Sequence, residues 1–188
     1  LAALADTAIA HYGKLDGAIN FAGIETSSAI ADISREVLQK NCDVHLIGTT
    51  LFIKHMTARM GNGGSVVTTS SQTALLSPPG LAAYAGTKSG ADHIVRIAAV
   101  EYGAQNIRVN SLSPGFTPSA MTADFLAMPA IEQAFINEIP LDRLPTTQDM
   151  ANAALWLLSD ESFMTGRLLD ISGGQTLRRI PTATEMGF

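Results

Sequence analysis

Cysteine is almost absent. Cys42 is the only one in 188 residues, which excludes a disulfide within the chain and suits a reducing compartment such as the cytoplasm. Charge is sparse as well. Charged residues make up 15% of the chain, and 17 acidic against 12 basic side chains leave a net charge of −5. A nucleic-acid-binding protein needs a basic patch, so no nucleic-acid partner is expected. No run of about 18 apolar residues occurs, so no spanning helix and no membrane partner are expected. No basic stretch opens the chain as it does in a secretory signal. Metal-ligand spacing is missing too: His11, His45, His55 and His93 are scattered, Cys42 has no second thiol, and no metal site is expected. Internal repeats and low-complexity tracts are lacking. What remains is 46% hydrophobic, an ordinary composition for a single globular domain over residues 1–188.

Strand-like and helix-like segments alternate along this chain. Residues 1–12 are rich in Ala and Leu and read as a helix ended by Gly13. Ala18–Phe21 reads as a short buried strand running into the small residues Ala22 and Gly23. Ser34 is a fair N-cap for a helical stretch to about Met60, along which Val37, Val44, Gly48, Leu51, Phe52 and Met56 recur at helical spacing. Ser65–Ser70 is a β-branched strand. A helix follows over Leu81–Gly103, a strand over Ile107–Leu112, a helix from Thr147 and a last strand over Arg167–Ile171. This alternation predicts an α/β fold, a doubly wound, Rossmann-like parallel sheet between two helical layers. Residues 120–145 set Met121, Phe125, Leu126, Met128 and Phe135 among Pro129, Pro140 and Pro145. Residues 178–188 show no pattern and are expected to be loosely ordered.

The chemistry concentrates between Ser71 and Lys88. Tyr84 and Lys88 are four residues apart, one turn apart on the same helical face. Ser71 follows the Ser65–Ser70 strand, and Pro78, Pro79 and Gly80 break the chain before the Tyr84 helix. A phenol titrates near 10, too high for a good base at neutral pH, and a neighbouring ammonium lowers it. A serine hydroxyl can hold the reacting oxygen. Together these groups suit proton transfer at a carbinol or carbonyl oxygen.

Ser71 followed by Tyr84-Ala85-Gly86-Thr87-Lys88 resembles the hallmark of the short-chain dehydrogenase/reductase family, a Ser and then Tyr-x-x-x-Lys. Other motifs resemble that family in the same order over nearly the whole chain. Its Asn-Asn-Ala-Gly turn is matched by Asn20-Phe21-Ala22-Gly23, and its Asn followed by Pro-Gly by Asn110 and Pro114-Gly115. Its Asp-Gly-Gly turn stands here as Ser172-Gly173-Gly174. The resemblance implies an NAD- or NADP-dependent oxidoreductase that interconverts a secondary alcohol and a ketone on a small, apolar substrate. Catalytic roles are implied for Ser71, Tyr84 and Lys88. Where the family places an Asn that holds a water in a proton relay, this chain has His45; the other reading of His45 is a half-buried helix histidine without a role. Cofactor contacts are implied at Asn20, Ala22, Gly23, Tyr84, Lys88, Pro114, Gly115, Thr117 and Ser119, the last two departing from the family's aliphatic and Thr. Residues 120–145 would be the substrate lid, and the helices near 34–60 and 81–103 would pair copies into a homodimer or homotetramer.

The family's Gly-rich phosphate-binding turn does not precede Leu1, so an N-terminally truncated sheet is expected, with weak dinucleotide binding. A second reading follows: an impaired remnant that only packs against a partner. A third, within the enzymes, uses the same Tyr for dehydration or epimerisation.

Overall fold

In the computed structural model, which describes residues 1–188, four strands form one parallel sheet in the order β1-β2-β3-β4. They are β1 Gly17–Asn20, β2 Gly64–Thr69, β3 Ile107–Pro114 and β4 Leu168–Ile171. Each crossover carries helix, as parallel strands require. Val66 and Val67 are neighbours on β2, and both are fully buried. Their side chains point to opposite faces, so one apolar run serves two layers. Val66 joins Val109 and Ile107 beneath helices α3 (Gly48–Thr57) and α4 (Ala82–Tyr102), with Ala5 of α1 (Ala2–Tyr12) in the same cluster. Val67 and Leu112 pack on the other face against Ala154 and Leu157 of α7 (Thr147–Leu158). Burying each of these Val side chains contributes about 1.5–3 kcal/mol. The result is the doubly wound, three-layer arrangement expected. β1 is an edge strand, half-buried along its length.

The helical stretch after Ser34 differs from its expected form. Ser34 does cap it, its hydroxyl accepting from the Val37 amide at 3.2 Å. The stretch then divides into α2 (Arg35–Asn41), a π-helical turn over Cys42–Ile47, and α3. The wider turn breaks the regular 3.6-residue spacing, and within it His45 is buried to 2% exposure. α4 ends at Tyr102 with Gly103 as its C-cap, as read; Gly103 stays right-handed, and the left-handed residue is Asn106, at φ 57. Gly90 of α4 lets the two helices meet. A Cβ there would stand 2.8 Å from Leu46 Cδ2, so the small-residue face of α4 is used at this point within the chain.

Beyond β3 the chain crosses the top of the sheet through α5 (Ala123–Leu126) and α6 (Pro129–Asn137). Ile131 and Phe135 of α6 bury against Ile139 and Leu144, with Phe116 stacked on Phe135 at 4.0 Å. Residues 178–188 are not loose. Ile180 and Met186 pack on this same cluster. Arg178 donates to the Asn137 carbonyl at 2.8 Å, and Arg179 bridges Glu138 and Glu185, each at 2.7 Å. The anchors are single residues rather than a repeating face, so no periodicity marks them. The Ser172-Gly173-Gly174 turn lies beneath. Gly173 has φ 67, and a Cβ on it would fall 2.7 Å from Ile139 Cγ2.

Candidate active site

Ser71 leaves β2 in extended conformation, and its Oγ accepts from the Thr73 amide at 3.2 Å and the Thr73 hydroxyl at 3.0 Å. Tyr84 lies in the first turn of α4. Burial raises its phenol above the ordinary value, hydrogen bonding with Ser71 pulls it down, and the Glu25 carboxyl pushes it up. One turn on, Lys88 is 3% exposed, and its Nζ donates to the Thr69 carbonyl at 2.7 Å. That nitrogen lies 5.8 Å from the centre of the Tyr84 ring. Burial pushes the Lys88 ammonium down to about 8, against the opposing pull of Asp92. An ammonium has three N–H donors; Thr69 takes one.

His45 is close to this group, its ring edge-on to Tyr84 at 5.4 Å. Both ring nitrogens are engaged by the protein. Nε2 accepts from the Ile24 amide at 3.2 Å, and Nδ1 faces Thr87 Oγ1 at 2.9 Å. The Thr87 hydroxyl donates to the Ala83 carbonyl at 2.7 Å, so its oxygen is the acceptor and Nδ1 carries the proton. Burial, and then the charge on Lys88, push the imidazolium down to about 4. A neutral ring with no free nitrogen clamps the loop after β1; it offers no lone pair to a water in a relay.

Ser71, Tyr84 and Lys88 open onto one cavity of about 890 Å³. Gly23, Pro114, Gly115, Thr117 and Ser119 also line it. At Gly23 a Cβ would lie 3.5 Å from Lys88 Nζ and 3.8 Å from His45 Nε2, ordinary contact distances, so Gly23 sits directly beside these two groups. Gly115 is packed behind: a Cβ on it would meet the Ser172 backbone at 2.9 Å. The Thr117 carbonyl and the Ser119 amide are both tied to the Thr122 hydroxyl, at 2.7 and 3.0 Å. Asn20 and Ala22 are not in the wall. The Asn20 carboxamide turns back to accept from the Ala22 amide at 3.0 Å, which shapes the turn that presents Gly23.

Three side chains at the site escaped the reading of the sequence. Asp92, 7% exposed, lies one turn beyond Lys88 and accepts from the Ser70 hydroxyl at 2.6 Å; burial raises its pKa. Glu25 and Gln72 both line the cavity. Asp92 had one legible signal, the i+4 spacing from Lys88. The other two are single residues in loops and had none.

Residues 1–176 match the family model described as enoyl-(acyl carrier protein) reductase. The chain is 36% identical over 180 residues to the 2,5-dichloro-2,5-cyclohexadiene-1,4-diol dehydrogenase of Sphingobium indicum, covering 93% of this chain and 72% of that one. A short-chain type dehydrogenase/reductase from Mycobacterium ulcerans superimposes with a TM-score of 0.93 at 35% identity, covering 99% of this chain and 69% of the other. A 7α-hydroxysteroid dehydrogenase, solved with NADH and 7-oxo glycochenodeoxycholic acid, superimposes with a TM-score of 0.86 at 32% identity over 92% of this chain and 68% of its own. None of this supports the reading as a packing remnant. The chain belongs to the short-chain dehydrogenase/reductase family, and it is an alcohol/ketone oxidoreductase acting on CH–OH groups.

Proposed function

We propose that the protein interconverts a small cyclic secondary alcohol and its ketone with NAD or NADP, using Tyr84 as the acid/base. The convergence of Ser71, Tyr84 and Lys88 on one cavity carries this reading. The similarity to a cyclic diol dehydrogenase and to a hydroxysteroid dehydrogenase solved with NADH supports it. The residues present fit a nicotinamide cofactor: Lys88 keeps donors for ribose hydroxyls, Gly23 lies beside it without a side chain, and the Pro114–Ser119 loop walls the side. When bound, that cofactor takes a hydride from the carbinol carbon or returns one to the carbonyl. Ser71 holds the substrate oxygen, and Tyr84 removes or supplies its proton. Lys88 as a cation favours the phenolate.

Burial alone leaves the Tyr84 phenol protonated at neutral pH, the form that donates during ketone reduction. Alcohol oxidation needs the phenolate, so its kcat/KM should rise with pH. Tyr84→Phe removes the hydroxyl and almost no volume, so turnover should fall by at least about 10²-fold while the circular dichroism spectrum is kept. Substantial residual kcat with an unchanged pH profile overturns the assignment.

A further inference from the structure

We propose that Glu25 sets the substrate specificity of this cavity, selecting cyclic alcohols that carry a second hydrogen-bond donor, such as another hydroxyl, and rejecting those that carry a carboxylate. This rests on Ser71, Tyr84 and Lys88 being the reacting centre.

Glu25 is the only acidic side chain in the cavity wall, and Lys88 the only basic one. Lys88 is bonded to Thr69. Glu25 has neither a hydrogen-bond partner nor an ion pair, although it is half-buried. The cavity it lines also has Leu81, Pro78, Met121 and Phe125 in its wall. Burial raises its pKa, and its charge reaches the Tyr84 hydroxyl. A half-buried carboxylate with no partner in the protein is partly desolvated, which costs some of its hydration. A ligand that brings a donor removes that cost, and a ligand that brings a second carboxylate adds repulsion.

A further observation points the same way. The loop holding Glu25 is fixed on both sides. His45 accepts from the Ile24 amide at 3.2 Å, and the Asn41 carboxamide donates to the Thr26 hydroxyl at 2.7 Å. Ser28 then bonds the Gly80 carbonyl at 2.7 Å. A loop anchored in this way fixes where the Glu25 side chain leaves the cavity wall, and so roughly how far from the reacting carbon its carboxylate can meet a substituent.

The test compares trans-1,4-cyclohexanediol, cyclohexanol and trans-4-hydroxycyclohexanecarboxylate as substrates, with each kcat/KM taken as a ratio to cyclohexanol within the same variant. The wild type should favour the diol and disfavour the carboxylate, each by about tenfold. Glu25→Gln, close in shape, should raise the carboxylate ratio by about tenfold, and Glu25→Leu should lower the diol ratio by a similar factor. Ratios that stay within about twofold across the three proteins overturn the proposal. A second readout is independent of turnover: binding of cyclohexanecarboxylate and of the diol, followed by NMR titration on wild type and Glu25→Gln. If no alcohol is oxidised but Glu25→Gln still tightens carboxylate binding, the reaction reading falls and Glu25 keeps its role in selection. If binding is also unchanged, the Glu25 proposal falls with it. Should Glu25→Leu fail to fold, the Gln variant decides alone.

Discussion

Imidazole at position 45 uses both ring nitrogens inside the protein, and this separates its effect on stability from any effect on rate. Its folded-state pKa is pushed to about 4 from an ordinary 6.5. Between those values the unfolded chain binds a proton that the folded chain refuses, so stability is full above about pH 6.5 and falls as pH drops towards 4. The ceiling on that slope is about 1.4 kcal/mol per pH unit for one proton. His45→Asn should flatten this part of the stability curve, measured by urea unfolding at pH 4.5 and 7.5, and leave the kcat–pH profile where it was. A profile that moves with the substitution would put His45 back in the proton path. Ser71, Tyr84 and Lys88 were legible because their relation is local: a strand end, a turn and one helical interval. Whether His45 had lone pairs to spare depended on Ile24 and Thr87, 21 and 42 residues away, which no spacing reveals.

At the scale of elements, the sheet was legible because its strands are short apolar runs between breakers, β-branched in β2, and α7 because Ala151, Ala154, Leu155 and Leu158 recur at helical spacing. The π turn over Cys42–Ile47 was not, since an i→i+5 register leaves the same apolar residues in a helical sequence and only shifts the faces they occupy. The C-terminal stretch is the larger departure. Ile180 and Met186 cover Ile131, Phe135 and Ile139, and Ile180, Met186 and Phe188 also line the cavity. Removing residues 179–188 uncovers that cluster and opens one wall. Both side chains are half-buried, so their loss amounts to less than the roughly 3–6 kcal/mol that two fully buried ones would contribute; Tm should drop by a few degrees and KM for the alcohol should rise more than kcat falls. An unchanged Tm and KM would mean that these contacts add nothing in solution.

The whole molecule carries apolar surface that its own fold does not cover. The sheet's outer helices α3 and α4 leave Leu51 38%, Ile97 48% and Val100 83% exposed, with Ile47 of the π turn beside them at 49%. These neighbouring elements lie on one side of the sheet, so their exposed residues can form a single patch. On the opposite face Leu155 is 63% and Phe163 fully exposed. Isolated apolar residues are ordinary on a surface, but several on adjacent helices are a reason for burial against another chain. Against a second copy, a patch on α3 and α4 is self-complementary by two-fold rotation, which closes a dimer; a second such contact through α7 and Phe163 would pair dimers. The protein should therefore sediment as a dimer or tetramer at micromolar concentration. Val100→Glu places a charge at the most exposed point of the α4 face without touching the core or the cavity. It should shift the sedimentation coefficient down to that of the next smaller assembly, with the circular dichroism spectrum kept. A wild type that sediments as a monomer across the concentration range, or a Val100→Glu variant indistinguishable from it in assembly, would show that α3 and α4 face solvent.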